Sequence, residues 1–202
     1  FASFGPSVAA ASIAQVHRGE VEKDGVRKAV AVKVLRPNVA SRFRRDLGDF
    51  FFVANKAEAH SSEARRLRLI EVINTMSRSV AMEMDLRLEA AALSEMAENT
   101  RDDPDFRVPT VDWDRTTHNV LTMEWIDGIA LNDHARLAAS QVDLPALGRN
   151  VIQRFLRHSL RAGFFPAAMP PAHLFLARPA PRVPADFLTV PPPPLSGAVS
   201  PP

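Results

Sequence analysis

The chain has 202 residues, 46% apolar and 24% charged, which suits one globular domain with a sizeable core and excludes a disordered or fibrous protein. Its formal charge is only +2, and basic residues are interleaved with acidic ones, so no nucleic-acid partner is expected. The absence of cysteine excludes disulfides and thiolate metal sites, and no run approaches the roughly 18 apolar residues that span a bilayer.

Phe1 to Phe4 and Ile13 to Val21 predict two strands, joined by a loop of small residues from Gly5 to Ser12. With neither an initiator Met nor a signal pattern, the sequence is expected to start within a domain. Asp24-Gly25 predicts a tight turn, and Lys28 to Leu35 a third strand stopped by Arg36-Pro37. The spacing of apolar residues predicts a helix over 39–60, capped by Ser61-Ser62, and another over 63–99 with a break near Ser77. Residues 107–113 and 119–125 predict a hairpin around Asp114 to Thr117, with Asp127-Gly128 ending its second strand. A helix over 144–162 is predicted next, with Leu147, Val151, Phe155 and Leu156 on its apolar face and Gly163 as its C-cap. Most of the 17 prolines lie after residue 165, four of them in the run Pro191 to Pro194, so the tail is expected to be extended or irregular. Strands, helices, strands and a final helix make an α+β order, not the alternation of a doubly wound sheet.

Three groups of residues could carry chemistry. In Ala29 to Leu35 the side chains alternate, so Val30, Val32 and Val34 point one way while Ala31, Lys33 and Leu35 point the other. A lysine inside a strand, between apolar neighbours, needs an anionic partner or an exposed face. It is either an edge-strand lysine that discourages aggregation or a cation aimed at phosphates, with small Ala31 leaving room for a flat ring. On the following helix, Glu83 has Arg87 four residues on, which an ordinary surface pair explains. Asp85 and Glu89 carry like charge four apart with no basic residue at helical spacing. They want a cation from elsewhere, or they form a solvated acidic face; nearly all-round apolar residues from Val80 to Leu93 predict that this stretch is buried. Finally, Ala9 to Ser12 would let backbone N–H groups approach a phosphate closely, although an alanine run is more often plain packing.

Together these segments resemble the UbiB family of atypical kinases, over residues 1 to about 165. Ala9-Ala10-Ala11-Ser12-Ile13-Ala14-Gln15-Val16-His17 is similar to the family's Ala-rich nucleotide loop, and Ala31-Val32-Lys33-Val34-Leu35-Arg36-Pro37 to its phosphate-binding strand. Glu83-Met84-Asp85 matches the Glu-x-Asp signature, Glu89 the helical glutamate that follows it, and Leu121 to Gly128 the hinge. The resemblance implies a protein-kinase-like α+β fold, with an antiparallel N-lobe sheet, long helices and the start of a helical C-lobe. The N-lobe would span 1–126, the C-lobe segment 127–176 and the Pro-rich tail 177–202. It also implies an ATP or ADP site formed by Ala9, Ala10, Ala11, Ser12, Ile13, Lys33, Glu89, Glu124 and Ile126. Lys33 would contact phosphates and pair with an acid of the long helix, most readily Glu89. Glu83 and Asp85 would help occlude the place of a protein substrate. The family's Lys-x-Gly-Gln element and C-terminal membrane helices have no counterpart in this sequence. The implied setting is ubiquinone biosynthesis on the cytoplasmic side of the bacterial inner membrane, with pathway lipids or proteins as partners and membrane contact only through parts absent here.

After Phe164-Phe165 the pattern fails. Ala168 stands where the family has its catalytic Asp, and His173 where it has a metal-binding Asn; Asp186-Phe187 keeps two residues of Asp-Phe-Gly. Alanine has no oxygen to accept a proton, and His is a poor ligand for Mg²⁺, so Asp186 alone would remain for the metal. One reading is a pseudoenzyme that keeps nucleotide binding and loses chemistry; for the chain as written, binding of Mg²⁺ and nucleotide is expected to be weak or lost, with no turnover. The favoured one is a C-terminal sequence error or a decaying gene, because His to Pro, Asp to Ala and Asn to His each need one A-to-C change. Two rivals are a scaffold that binds lipid or protein partners and an aminoglycoside-type small-molecule kinase; the Ala-rich loop and Glu-x-Asp argue against the second.

Overall fold

The computed structural model describes residues 1–10, 13–103, 106–140, 142–162, 174–177 and 187–189. Its first sheet is antiparallel, ordered β1 (Ser3–Ala10), β2 (Ala14–Lys23), β3 (Val26–Leu35) and β5 (Val120–Glu124). β2 and β3 form a hairpin closed by Asp24 and Gly25, with φ of 54° and 74°. Two consecutive left-handed residues suit the right-handed twist of the flanking strands, and glycine takes the second at no steric cost. The alternation in β3 sorts its residues as the sequence predicts. Val30 and Val32 pack with Val21 on one face, while Ala31 and Leu35 enter the main core with Ala14, Leu86, Ala90, Leu93, Leu121 and Met123.

Helices follow as α1 (Val39–His60), α2 (Ser62–Leu67), α3 (Leu69–Glu83) and α4 (Leu86–Asn99). Ser61 closes α1 and caps α2, its side chain accepting from the Ala64 N–H. The predicted helix over 63–99 is thus three helices, and its breaks lie at Arg68 and at Met84-Asp85, not near Ser77. Arg68 adopts φ 51° and turns the chain; Asp85 is extended and starts α4 as its N-cap. Among the described residues α4 is the best buried helix, through Leu86, Glu89, Ala90, Leu93 and Met96. α3 buries no residue, and Met82 and Leu88 are exposed, so burial does not run all round this stretch as expected.

The expected hairpin of 107–113 with 119–125 is largely replaced. β5 pairs with β3, and its strand pairing with the preceding segment shrinks to one bridge, Val111 to Met123, around a 3-10 turn at Trp113–Arg115. β4 (Phe106–Arg107) belongs instead to a second sheet with β6 (Gly128–Ala130), β7 (Leu174–Ala177) and β8 (Phe187–Thr189), in the order β4-β8-β7-β6. Beside it lie α5 (His134–Ala139) and α6 (Leu144–Ala162), the latter with the predicted bounds. Leu147 of α6 is buried with Ile129, Leu137 and Leu176, and Val151 packs on that cluster; Leu156 is exposed, and the Phe155 side chain and Gly163 lie outside the described residues.

Candidate functional site

Strand alternation delivers Lys33 to the core-facing side of the first sheet. Val16 and Leu121 are its cross-strand neighbours, and Ala9 lies opposite Val16, so Ala9, Val16, Lys33 and Leu121 form one row across the sheet. Ala9 and Ala10 are in β1, paired with Val16 and Gln15, where a loop was expected. They are exposed, whereas Ile13 is half-buried against the main core. Ala11 and Ser12 lie outside the described residues, as do Ala168, His173 and Asp186.

Beneath this row runs α4. The Lys33 Nζ lies 2.8 Å from Glu89 Oε1 and 2.6 Å from Oε2, so the ammonium is held by both carboxylate oxygens. Glu89 is 2% exposed and Lys33 18%. Burial pushes the Glu89 carboxyl above its ordinary value, and the charge and hydrogen bond of Lys33 pull it back down. A charged pair in so dry a place stays because each partner would be costly alone. The lysine's residual exposure leaves its ammonium able to meet a further anion.

Asp85 takes a different place from Glu89. Its side chain accepts from the Arg87 N–H at 3.1 Å and pairs with the Arg87 guanidinium at 2.7 Å. These bonds hold its carboxyl below the usual range, the side-chain bond contributing most and the backbone bond adding to it, against desolvation. The expected Glu83–Arg87 pair does not form, because the break at Met84-Asp85 takes Glu83 off the helix that carries Arg87. Asp85 therefore finds its cation two residues away, not across the sheet. Among the described residues the Glu83 carboxylate has no hydrogen-bond or ion-pair partner.

At the far edge of the sheet, the Glu124 N–H donates to Thr110 O at 2.9 Å, and its carboxylate pairs with Arg107 of β4. Trp125 N–H donates to Ala29 O at 3.1 Å. Among the described residues the half-buried Ile126 makes no backbone hydrogen bond through its N–H. Sequence reasoning passed over Met123, which is 2% exposed and lies opposite Ala31, two residues along from the Lys33–Leu121 row. The alternation of Val120 to Glu124 would have found it. Among the described residues no group of three or more His, Asp or Glu could hold a metal. Lys33 offers a cation that an anion could reach, and at 124–126 the N–H of Ile126 is the donor without a backbone partner among the described residues.

A lysine on the third strand of an antiparallel sheet, clamped by a helical glutamate, with a single crossing strand leading out of the sheet, defines a protein-kinase-like N-lobe. Residues 1–188 match the ABC1 atypical kinase-like domain, and the chain belongs to that family. The protein named Probable protein kinase UbiB from Pseudomonas paraeruginosa is 38% identical over 177 residues, 88% of this chain and 33% of its own length. Its namesakes in Marinobacter nauticus and Cellvibrio japonicus are 36% identical, over 87% and 91% of this chain. The chain spans about a third of the length of these curated relatives.

Proposed function

We propose that this chain carries the ATP- or ADP-binding lobe of a UbiB-type kinase or ATPase that supports ubiquinone biosynthesis, and that this copy performs no turnover. The observation that carries the reading is the two-oxygen clamp of Glu89 on Lys33 at 2.6 and 2.8 Å. It fixes an ammonium on the row of the sheet that begins at Ala9, where Ala9 to Ile13 would present N–H groups to phosphate. Lys33 takes the phosphates, and main-chain groups of Glu124 and Ile126 take the base. Glu83 and Asp85 border the cleft where a protein substrate would sit. In the proposed division the lobe ends at 126, the C-lobe segment runs over 127–176 and the tail over 177–202.

Ala168 cannot accept a proton from a nucleophile, which is why nucleotide should bind without being consumed. A bound Mg²⁺ would neutralise phosphate charge, with Asp186 the carboxylate best suited to it and His173 a poor ligand. No helix among the described residues is long and apolar enough to cross a membrane, so attachment to the inner membrane's cytoplasmic side would fall to other segments. One observation favours the scaffold alternative: Phe50, Phe52 and Val53 of α1 and Val72 of α3 are more than half exposed, an apolar surface that lipid or protein could cover.

Thermal shift with Mg-ADP separates the readings. Stabilisation of the wild type, lost in the paired variant Lys33→Met/Glu89→Met, is the expected result. That variant keeps the pocket packed, so the loss is of binding and not of fold. No shift in the wild type would leave the scaffold reading.

A further inference from the structure

Three cations stand on the core-facing side of the first sheet. Lys33 is paired with Glu89 and Arg27 with Glu22, whereas Arg18 forms no ion pair among the described residues. Arg18 lies opposite Ala31 across β2 and β3, and Ala31 lies opposite Met123 across β3 and β5, so all share a face with Lys33. Trp125 continues β5 beyond Glu124, beside Ala29, to which it is hydrogen-bonded. Arg18 and Trp125 are thus two strands apart, about 10 Å at ordinary strand spacing. Between them β3 offers only the methyl groups of Ala29 and Ala31. That gap lets the guanidinium cross β3 and lie over the indole, 5.1 Å from the ring centroid. The indole is fixed from other sides as well: Nε1 donates to Asp127 Oδ1 at 3.0 Å, and the ring packs on the main core.

The geometry points to Arg18 as a positioning residue for the base end of the cleft: it clamps the Trp125 indole above Ala29 and Ala31 as a wall for a planar nucleobase. This rests on the nucleotide reading above. Lys33, two residues along β3 from Ala31, serves the phosphates, so the face carries a division of labour along its length. A planar guanidinium suits the clamp because it stacks on an aromatic face and keeps its N–H donors in solvent. Larger side chains at 29 or 31 would lift it off the ring.

The clamp acts on the base and not on the phosphates, which a paired titration reads. The 202-residue chain is titrated with Mg-ADP and with Mg-pyrophosphate, as wild type, Arg18→Met and Arg18→Lys. A Trp113→Phe background leaves Trp125 as the sole tryptophan fluorophore of the two in the chain. Arg18→Met is expected to weaken ADP roughly two- to fivefold, the worth of an exposed cation–π contact, and to leave pyrophosphate unchanged. The response of Trp125 emission to ADP should shrink with it, and Arg18→Lys should fall between. Unchanged ADP affinity would overturn the clamp, as would equal weakening of both ligands, which would make Arg18 a phosphate charge. If the wild type binds pyrophosphate but not ADP, the base wall is wrong while the phosphate site stands. If it binds neither, the nucleotide reading fails first and the clamp with it.

Discussion

The contact between Lys33 and Glu89 holds an anion where an apolar side chain would pack more cheaply, and its pH dependence follows from that. The Glu89 carboxyl is raised above its ordinary 4.5 chiefly by desolvation, with Lys33 opposing. A native state that binds a proton more tightly than the unfolded chain has this group's full contribution below 4.5 and loses it as pH rises through the raised value. Lys33→Met removes the opposing pull and carries that loss to higher pH. At neutral pH the variant is expected to be about 3 kcal/mol less stable, and the paired Lys33→Met/Glu89→Met within about 1 kcal/mol of wild type. Urea unfolding at pH 4.5 and at about pH 8 checks both; equal losses in Lys33→Met at the two pH values would refute the argument. The lysine was legible from period-two alternation alone. Its partner was not decided by spacing, since Asp85 and Glu89 looked equivalent; the family resemblance pointed to Glu89, and the helix start at Asp85 gives the physical reason. Asp85→Ala should cost about 1 kcal/mol as a lost cap, whereas Asp85→Asn should cost only a few tenths. Because the Asp85 carboxyl is lowered from 3.8, its stabilisation is present above that value and fades as pH falls through the depressed one. Thermal melts of both variants from neutral to acid pH read the difference, and equal losses would sink the capping role.

Elements were legible where their signals are local and misread where the fold overrides them. The bounds of α1 and α6 agree with the predicted ones because apolar periodicity sets them, and at α1 the expected Ser61 cap is present. The break at Arg68 carries no glycine or proline, and a left-handed arginine has no sequence signature, so the chain read as continuous. The hairpin around Asp114 to Thr117 was misread for a related reason. Both segments have strand composition, but β5 finds a longer partner in β3, leaving the earlier segment one bridge. The alanine run read as a loop for want of large side chains, yet backbone pairing with β2 carries it as strand to Ala10. α4, which brings Glu89 to the sheet, depends on burial more than on propensity. Leu93 is 1% exposed among Leu86, Ala90 and Met96, so Leu93→Ala is expected to cost about 3 kcal/mol by transfer and cavity. If chemical denaturation finds less than about 1 kcal/mol, the helix is not anchored by this face.

At the scale of the whole chain, the two largest clusters of buried residues among the described ones are of unequal size. The larger, between the first sheet and α4, holds eleven buried residues including Leu121 and Leu93. The smaller, around β6, β7, α5 and α6, holds four: Ile129, Leu137, Leu147 and Leu176. Phe106 packs on both, and β4, which carries it, pairs into the second sheet, so the smaller core is tied to the larger through this short strand. By themselves these four described side chains offset little of the conformational entropy of the segments around them, and the larger core is their support. Stability should therefore be hierarchical, with local opening of the smaller core below global unfolding. Leu147→Ala is expected to speed amide exchange in α5, α6 and β6 while β2, β3 and β5 keep their protection. Leu121→Ala, at a side chain with no exposure, is expected to raise exchange in both sets. Phe106→Ala should behave as Leu147→Ala with a modest loss in the first sheet added. Hydrogen exchange followed by mass spectrometry reads all three, and protection of α6 that survives in Leu121→Ala would mean that the smaller core stands by itself.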